Sequence, residues 1–249
     1  MKLLVINPNT SAAMTEAIGR AAQAVAAPGT VVHALCPDFG PRSIEGHYDE
    51  AIAAAGVAAV LRREAGPQAT DPPDAVVIAC FGDPGLAAAR EVSGAPVIGV
   101  AEAAFHAASF LATGFSVVTT MTRTCVIAEH LLHAYGFERR CRGVHGTDIP
   151  VLDLEDGGAG CVDRIEAVAR EALAKDRSGA IVLGCAGMAA LCEDLTRRLG
   201  VPVIDGVSAA VKFAEGLVGL GLRTSAAGDY ARPLPKEYVG WAQHLGWGP

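Results

Sequence analysis

The sequence predicts an α/β protein built of two similar parallel-sheet lobes, related by a pseudo-twofold axis, with a cleft between them. Short apolar strands alternate with helical segments of about ten to fifteen residues, the pattern of βαβ units and a parallel sheet. A β-branched run that ends at a cysteine, with glycine two residues later, occurs twice. After Gly114 the order of elements begins again.

The repeated unit reads Asp74-Ala-Val-Val-Ile-Ala-Cys80-Phe-Gly in the first half and Gly179-Ala-Ile-Val-Leu-Gly-Cys185-Ala-Gly in the second. A second apolar run follows each unit, starting sixteen residues after Cys80 at Pro96 and seventeen residues after Cys185 at Pro202. Two pseudo-equivalent cysteines predict two lobes whose thiols face each other across one cleft.

The elements follow from local patterns of apolar residues and helix caps. In the first half we expect a strand ending at Val5-Ile6, a polar turn over Asn7–Ser11 with an N-cap, a helix over Met14–Ala26, a strand over Thr30–Leu35, a loop over Pro37–Gly46, a helix over Tyr48–Glu64 and the first cysteine strand. In the second half we expect a strand over Phe115–Thr120, a helix over Val126–Tyr135, a strand over Ile149–Leu152, a helix over Arg164–Lys175 and the second cysteine strand.

The chain is expected to divide into an N-terminal lobe of residues 1–100 plus 209–249 and a C-terminal lobe of residues 101–208. The tail after Val211 holds a helix to about Gly219 and then Gly- and Pro-rich coil. Nothing in this tail can form a third core, so we expect it to pack on the first lobe.

Composition limits the classes of function. With 249 residues the chain can form real cores, and a net charge of −7 argues against nucleic acid as a partner. The longest cationic cluster, Arg139–Arg142, is short and is expected to be a solvated turn. We expect no membrane partner, because Met1–Ile6 is too short for a signal peptide and the apolar stretch 101–120 contains Glu102 and His106. Seven cysteines, an odd number, fit a reduced, cytoplasmic protein.

Ligands of parallel sheets bind at the carboxyl ends of the strands. Four strand ends carry polar or reactive groups, which are Asn9 with Thr10, Cys80, Thr119 with Thr120, and Cys185. If the lobes pack mouth to mouth, these groups form one active site in the cleft. A helix N-terminus beyond each cysteine is expected to lower the thiol pKa toward neutrality.

Two thiols on opposite sides of a cleft suit a particular reaction. One thiolate removes a proton from a carbon beside a carbonyl, and the other thiol returns a proton to the opposite face. We expect the backbone N–H groups near Phe81, Gly82, Ala186 and Gly187 to hold the enolate oxygen.

Other patterns are weaker. The remaining cysteines are expected to be inert apolar residues. His130 and His133 lie three apart on a helix, but no ligand cluster accompanies them, so we expect no metal. Glu45 and Glu102 are either carboxylates near the mouth of the cleft or helix caps.

Several motifs together resemble the aspartate/glutamate/hydantoin racemase superfamily, and within it the hydantoin and allantoin racemase group. They are Ile6-Asn-Pro-Asn-Thr-Ser, Ser43-Ile-Glu-Gly, Val77-Ile-Ala-Cys-Phe-Gly-Asp-Pro-Gly-Leu, Phe115-Ser-Val-Val-Thr-Thr, Val182-Leu-Gly-Cys-Ala-Gly-Met and Pro202-Val-Ile-Asp-Gly-Val. The resemblance implies racemisation without cofactor or metal, a small-molecule substrate, a homo-oligomer, and Cys80 and Cys185 as the catalytic pair. It also implies pocket positions at Pro8, Asn9, Ile44, Phe81, Gly82, Thr119, Thr120, Ala186 and Gly187.

The residues after each cysteine differ from those of the amino-acid racemases in the superfamily. Phe-Gly stands after Cys80 in place of Asn-Thr, and Ala-Gly-Met stands after Cys185 in place of Thr-His. These changes remove groups that would bind a carboxylate and an ammonium, and they favour a neutral ring. The resemblance therefore implies inversion at C5 of a 5-substituted hydantoin. The segments Glu129–Phe137 and Leu152–Gly157 look closer to the allantoin racemase pattern. Three alternatives stay open: an arylmalonate-type decarboxylase, a maleate cis–trans isomerase and a non-enzymatic ligand-binding protein.

Overall fold

A computed structural model describes residues 1–66, 68–154 and 160–246 of the chain. Residues 155–157, the end of a segment that resembled allantoin racemases, therefore lie outside the described residues. Within the described ranges the chain forms two four-stranded parallel sheets, with strand orders β2-β1-β3-β4 and β6-β5-β7-β8. The two orders are equivalent, which confirms the predicted pair of α/β lobes.

The strands are β1 (Lys2–Ile6), β2 (Val31–Leu35), β3 (Ala75–Ile78), β4 (Val97–Gly99), β5 (Phe115–Thr119), β6 (Cys141–Gly146), β7 (Ala180–Gly184) and β8 (Val203–Asp205). The α-helices are α1 (Ala12–Val25), α2 (His47–Ala65), α3 (Leu86–Val92), α4 (Val100–Leu111), α5 (Cys125–Ala134), α6 (Cys161–Asp176), α7 (Cys192–Leu199) and α8 (Gly206–Gly219). Short 3₁₀ helices cover Thr122–Thr124, Val151–Leu154, Ala186–Leu191, Gly228–Tyr230 and Gly240–Leu245. None of the helices in the described part of the chain combines the length and apolar character needed to cross a membrane.

Side chains of the first sheet alternate between two helical layers. Leu3 and Val5 of β1 pack with α1, whereas Leu4 and Ile6 pack with α2. Successive residues of a strand point to opposite faces, so a strand covered on both sides is a continuous apolar run. This is why β1 and β3 were visible in the sequence as unbroken hydrophobic segments.

The prediction of a strand over Ile149–Leu152 is wrong. The edge strand of the second sheet is β6, which pairs with β5, and Val151–Leu154 forms a 3₁₀ helix instead. An edge strand is buried less than a central one, and β6 reads Cys-Arg-Gly-Val-His-Gly without an apolar run. The expectation of a solvated turn over Arg139–Arg142 is therefore wrong for Cys141 and Arg142, which are the first two residues of β6.

Each lobe lends a helix to the other. After β4, α4 buries Ala104 and Phe105 against the second sheet, and after β8, α8 buries Val207 and Ala210 against the first. Full burial of an aromatic side chain such as Phe105 contributes about 2–3 kcal/mol to folding. The crossing is therefore a major part of the contact between the lobes.

The two exchanged helices meet at their first residues. A Cβ placed on Gly206 would lie 2.2 Å from the backbone oxygen of Val100. Val100 and Gly206 hold equivalent positions, each being the residue directly after the last strand of its sheet. Contact between equivalent residues locates the pseudo-twofold axis at this crossing, where only glycine leaves room for the neighbouring backbone.

The chain after α8 runs over the first lobe. The Thr224 hydroxyl donates a hydrogen bond to the Ala95 carbonyl oxygen at 2.6 Å. Arg90 lies over the ring of Tyr230, and the ring of Trp241 meets that of Phe39 at a centroid distance of 6.0 Å. The division into residues 1–100 plus 209–249 and 101–208 stays a prediction.

Candidate active site

Cys80 and Cys185 follow β3 and β7, at the carboxyl edges of the two sheets, and both line one pocket between the lobes. The pocket is partly open to solvent, and the empty space in and in front of it amounts to about 590 Å³. The charge of the Cys185 thiolate contributes to the raised pKa of Cys80, which indicates that the two sulfurs are close. The parallel topology thus brings together two thiols that are 105 positions apart in the sequence.

Ten of the eleven predicted site residues line this pocket. They are Cys80, Cys185, Asn9, Ile44, Phe81, Gly82, Thr119, Thr120, Ala186 and Gly187. Pro8 is the exception, because it is buried in the turn between β1 and α1, where its neighbours Asn7 and Asn9 supply the lining atoms.

Both thiols have raised pKa values, opposite to the sequence-based expectation. Burial raises the pKa of Cys80 well above its usual range, and the charges of Cys185, Glu50 and Asp83 add to the rise. Burial raises the pKa of Cys185 to about 11, with a contribution from the charge of Glu45. The free-energy cost of burying a thiolate is larger here than the stabilisation that a helix N-terminus gives it, so the net effect is a raised pKa. Cys80 also gains little from α3, which starts several residues further on.

Backbone amides oppose this rise in part. The N–H of Gly82 faces the sulfur of Cys80, and the N–H groups of Gly187 and Met188 face the sulfur of Cys185. Hydrogen bonds of this kind favour the thiolate and lower the pKa. Two of the amides that we expected to face an enolate oxygen, those of Gly82 and Gly187, therefore point at sulfur.

The asparagines of the pocket are held by the turn that they form. Asn7 Nδ2 donates to Asn9 Oδ1 at 2.7 Å and to Thr15 Oγ1 at 2.9 Å. Asn9 Nδ2 donates to the sulfur of Met14 at 3.2 Å. These hydrogen bonds fix both asparagine side chains in the pocket wall and occupy most of their donors and acceptors.

The threonines divide into engaged and unengaged hydroxyls. Thr119 Oγ1 donates to the Gly184 carbonyl oxygen at 2.9 Å, and Thr124 Oγ1 donates to the Met121 carbonyl oxygen at 2.8 Å. The hydroxyl of Thr120 has no hydrogen bond to any described residue. It is therefore available to a bound molecule.

Several lining residues escaped the sequence analysis, namely Asn7, Met14, Glu50, Ala79, Thr124, Ile127, Ala128, Val151 and Gly184. Glu50 is the most consequential of them, because its side chain is only 18% exposed and its charge reaches Cys80. Nothing in the sequence indicated that Glu50 lines a pocket, because it lies in the first turn of α2, where acidic residues are common for their favourable interaction with the helix dipole.

The two acids left undecided by the sequence have different roles. Glu45 accepts a hydrogen bond from the Val151 N–H and so joins the two lobes beside the pocket. Glu102 pairs with Arg90 and does not line the pocket. His130, one of the two histidines singled out on α5, is exposed and stacks on the ring of His47 across the lobes.

The pocket has an unusual charge balance. Among its described lining residues Glu50 is the one ionisable side chain besides the thiols, and Lys, Arg and His are absent. A dianionic ligand would meet a carboxylate without a cationic partner, which is unfavourable in a buried site. A neutral polar ligand suits this pocket better.

Fold and pocket together define a class, that of two-lobed α/β enzymes with one thiol from each lobe at a shared site. The chain belongs to the Asp/Glu/Hydantoin racemase family, because a sequence model of that family matches residues 3–214. It is therefore a racemase, a member of the isomerases.

Close relatives share the whole length of the chain. A hydantoin racemase from Pseudomonas sp. (strain NS671) is 45% identical, over 99% of this chain and 97% of its own. The solved structure of allantoin racemase from Klebsiella pneumoniae is 57% identical, covers 99% of both chains and superposes with a TM-score of 0.94. That of allantoin racemase from Pseudomonas fluorescens is 41% identical, covers 96% of this chain and 100% of its own, and gives a TM-score of 0.91.

Proposed function

We propose that the protein racemises 5-substituted hydantoins, including allantoin (5-ureidohydantoin), by inverting the configuration at C5, with Cys80 and Cys185 as the acid and base. The observation that carries this proposal is the position of the two thiols, which lie at equivalent strand ends and line one pocket. The names of the close relatives support the substrate class.

The reaction uses one thiolate and one thiol. The thiolate takes the hydrogen from C5 as a proton and becomes a thiol, while the C5–H bonding electrons form an enolate with the C4 carbonyl. The opposite thiol then gives its proton to the other face of C5 and is left as a thiolate. Nothing is oxidised or reduced, so the exchange needs no cofactor. Which cysteine is the base depends on the enantiomer.

The raised thiol pKa values fit this chemistry. A thiolate whose conjugate acid has a high pKa is a strong base, and the hydrogen on C5 is only weakly acidic. The same shift means that a small fraction of the enzyme carries a thiolate at neutral pH. Fast proton transfer in that fraction offsets its low population.

The charge balance of the pocket separates this proposal from its rivals on the same scaffold. Malonates and maleate carry two carboxylates, and the described lining offers no cation to neutralise them. A hydantoin ring is neutral and presents both N–H donors and carbonyl acceptors. The unengaged hydroxyl of Thr120 and the remaining backbone amides suit such a ring.

We also propose the cellular location, the assembly state and the substrate-contacting residues of the protein. All seven cysteines lie in the described ranges as unpaired thiols, and we place the protein in the cytoplasm, where thiols stay reduced. As the family resemblance implies, we also propose a homo-oligomer. Asn9, Ile44, Phe81, Gly82, Thr119, Thr120, Ala186 and Gly187 are proposed to contact the substrate.

The experiment is racemisation of (S)-allantoin and (S)-5-benzylhydantoin in D₂O, followed by circular dichroism and proton NMR. Two bases predict that, early in the reaction, deuterium enters C5 of the product enantiomer while the recovered substrate keeps its hydrogen. A phenylmalonate and maleate are tested beside them. Failure to exchange C5 of either hydantoin, or turnover of a diacid in its place, would overturn the proposal.

A further inference from the structure

One carboxylate oxygen of the pocket has no hydrogen-bond partner among the described residues. Glu50 Oε2 lies 3.3 Å from His47 Nδ1, while Oε1 receives no hydrogen bond from any described residue. The other side-chain atom of the lining in this condition is the Thr120 hydroxyl. No buried side-chain oxygen of the described residues lacks a hydrogen-bond partner, so Oε1 stays in contact with solvent and is free to accept a hydrogen bond from a molecule in the pocket.

The location of Oε1 is set by Gly82. A Cβ placed on Gly82 would lie 2.1 Å from Oε1, so the glycine lets the carboxylate rest against the turn that follows Cys80. The charge of Glu50 also contributes to the raised pKa of Cys80. The free oxygen is therefore close to the reacting thiol.

Glu50 is more exposed than the threonines of the pocket. Thr119 and Thr120 are 4% and 3% exposed. The Glu50 side chain is 18% exposed, and that of its partner His47 is 63% exposed. The carboxylate of Glu50 therefore lies in a more solvent-accessible part of the lining than the threonines do.

We propose that Glu50 determines specificity for the C5 substituent, by accepting N–H hydrogen bonds from a ureido group and disfavouring alkyl and aryl groups of the same size. This inference rests on the proposed hydantoin racemisation. In the proposed pose C5 lies between the thiols, the ring lies against the buried threonines, and the substituent points to the more exposed part of the lining, where Oε1 can accept from it. A ureido group offers it N–H donors, whereas an alkyl group desolvates the carboxylate and gives nothing in return.

The test uses a pair of substrates that differ in donors and little in shape. Allantoin carries a ureido group, and 5-isobutylhydantoin carries its apolar isostere. The quantity measured is the ratio of kcat/KM for the two, in wild type, Glu50→Gln and Glu50→Asp. Glu50→Gln keeps the shape of the side chain and removes its charge. Glu50→Asp keeps the charge, but its side chain is one methylene shorter, so the carboxylate lies further from the substituent. Glu129→Gln, an exposed acid on α5 outside the pocket, is the matched control.

We expect the ratio to fall about ten- to hundredfold in both Glu50 variants and to stay unchanged in Glu129→Gln. A parallel loss on both substrates would mean that Glu50 holds the ring or the fold, and it would overturn the inference. So would an unchanged ratio. Failure of wild type to racemise either hydantoin would instead overturn the proposed function, so the two failures are distinguishable.

Discussion

Glu45 Oε1 of the first lobe accepts a hydrogen bond from the Val151 N–H of the second lobe at 3.0 Å. Glu45 precedes α2, and Val151 begins the 3₁₀ helix that lines the pocket. Nearby, the rings of His47 and His130 stack across the lobes at a centroid distance of 6.0 Å. The two lobes are thus joined directly beside the pocket as well as at the crossing of α4 and α8.

Replacing Glu45 tests this bridge. Glu45→Ala leaves the Val151 N–H without its acceptor, and we expect the free energy of unfolding to fall by about 1–3 kcal/mol and KM to rise. Glu45→Gln keeps a carbonyl oxygen in place and is expected to retain most of the stability. Urea unfolding and steady-state kinetics measure both effects. Equal losses in the two variants would show that the charge of Glu45, and not the hydrogen bond, is what matters.

Removing either thiol should abolish racemisation. In Cys80→Ser and Cys185→Ser a hydroxyl replaces the acid or base, and we expect the racemisation rate to fall by at least about 10²–10⁴-fold. The remaining cysteine can still exchange C5 of the enantiomer whose hydrogen faces it.

Exchange without inversion is therefore expected for one enantiomer in Cys80→Ser and for the opposite enantiomer in Cys185→Ser, measured by NMR in D₂O. Cys192→Ser, which replaces a thiol that binds the Val203 carbonyl outside the pocket, is the control and should racemise normally. Full racemisation by either pocket variant contradicts the two-base mechanism.

The raised thiol pKa values predict an alkaline pH profile. The reaction needs one thiolate, and burial places the pKa of Cys185 at about 11 and that of Cys80 higher. Below these values the ionised fraction grows with pH, so kcat/KM should rise about tenfold per pH unit between roughly pH 6 and pH 9. Initial rates are corrected for enzyme-free racemisation of the hydantoin. A plateau beginning near neutral pH would mean that the thiolate is stabilised more than its burial suggests.

Asp83 is expected to be a structural residue of the same turn. It follows Cys80 closely, and its carboxylate accepts the N–H groups of Ala101 and Glu102 at 3.1 and 3.0 Å and the Tyr135 hydroxyl at 3.0 Å. Asp83→Ala removes the cap of α4 and leaves buried donors unpaired, so we expect the free energy of unfolding to fall by about 2–4 kcal/mol. Tyr135→Phe removes one of the three bonds and should cost about 1 kcal/mol by denaturant unfolding. A smaller loss for Asp83→Ala than for Tyr135→Phe would contradict this role.

Most of the strands could be predicted from the sequence because a strand buried on both faces is a run of consecutive apolar residues. β1, β3, β5 and β7 are mostly apolar and are buried on both faces, and the repeated cysteine marks equivalent ends of β3 and β7. β6 was misplaced because an edge strand needs no apolar run, and its partner β5 supplies the hydrogen bonds that define it.

Only those site residues could be predicted whose positions follow from the local sequence, as at the end of a strand. The carboxyl ends of parallel strands meet at one edge of the sheet whatever else surrounds them, so most of the predicted site residues lie together in the pocket lining. Glu50 reaches the pocket from α2, and the proximity depends on how that helix packs. The thiol pKa likewise depends on enclosure by both lobes, a tertiary property that no stretch of residues around Cys80 encodes.

The exchange of α4 and α8 has a consequence for how this protein can be taken apart. Each sheet takes a covering helix from the other half of the chain, so a fragment ending near residue 100 would expose the apolar face that α8 normally shields. Neither fragment is expected to be a self-sufficient folding unit, and the two should regain structure when mixed. Although the two halves of the chain repeat the same architecture, cleavage between them is not expected to yield two stable domains.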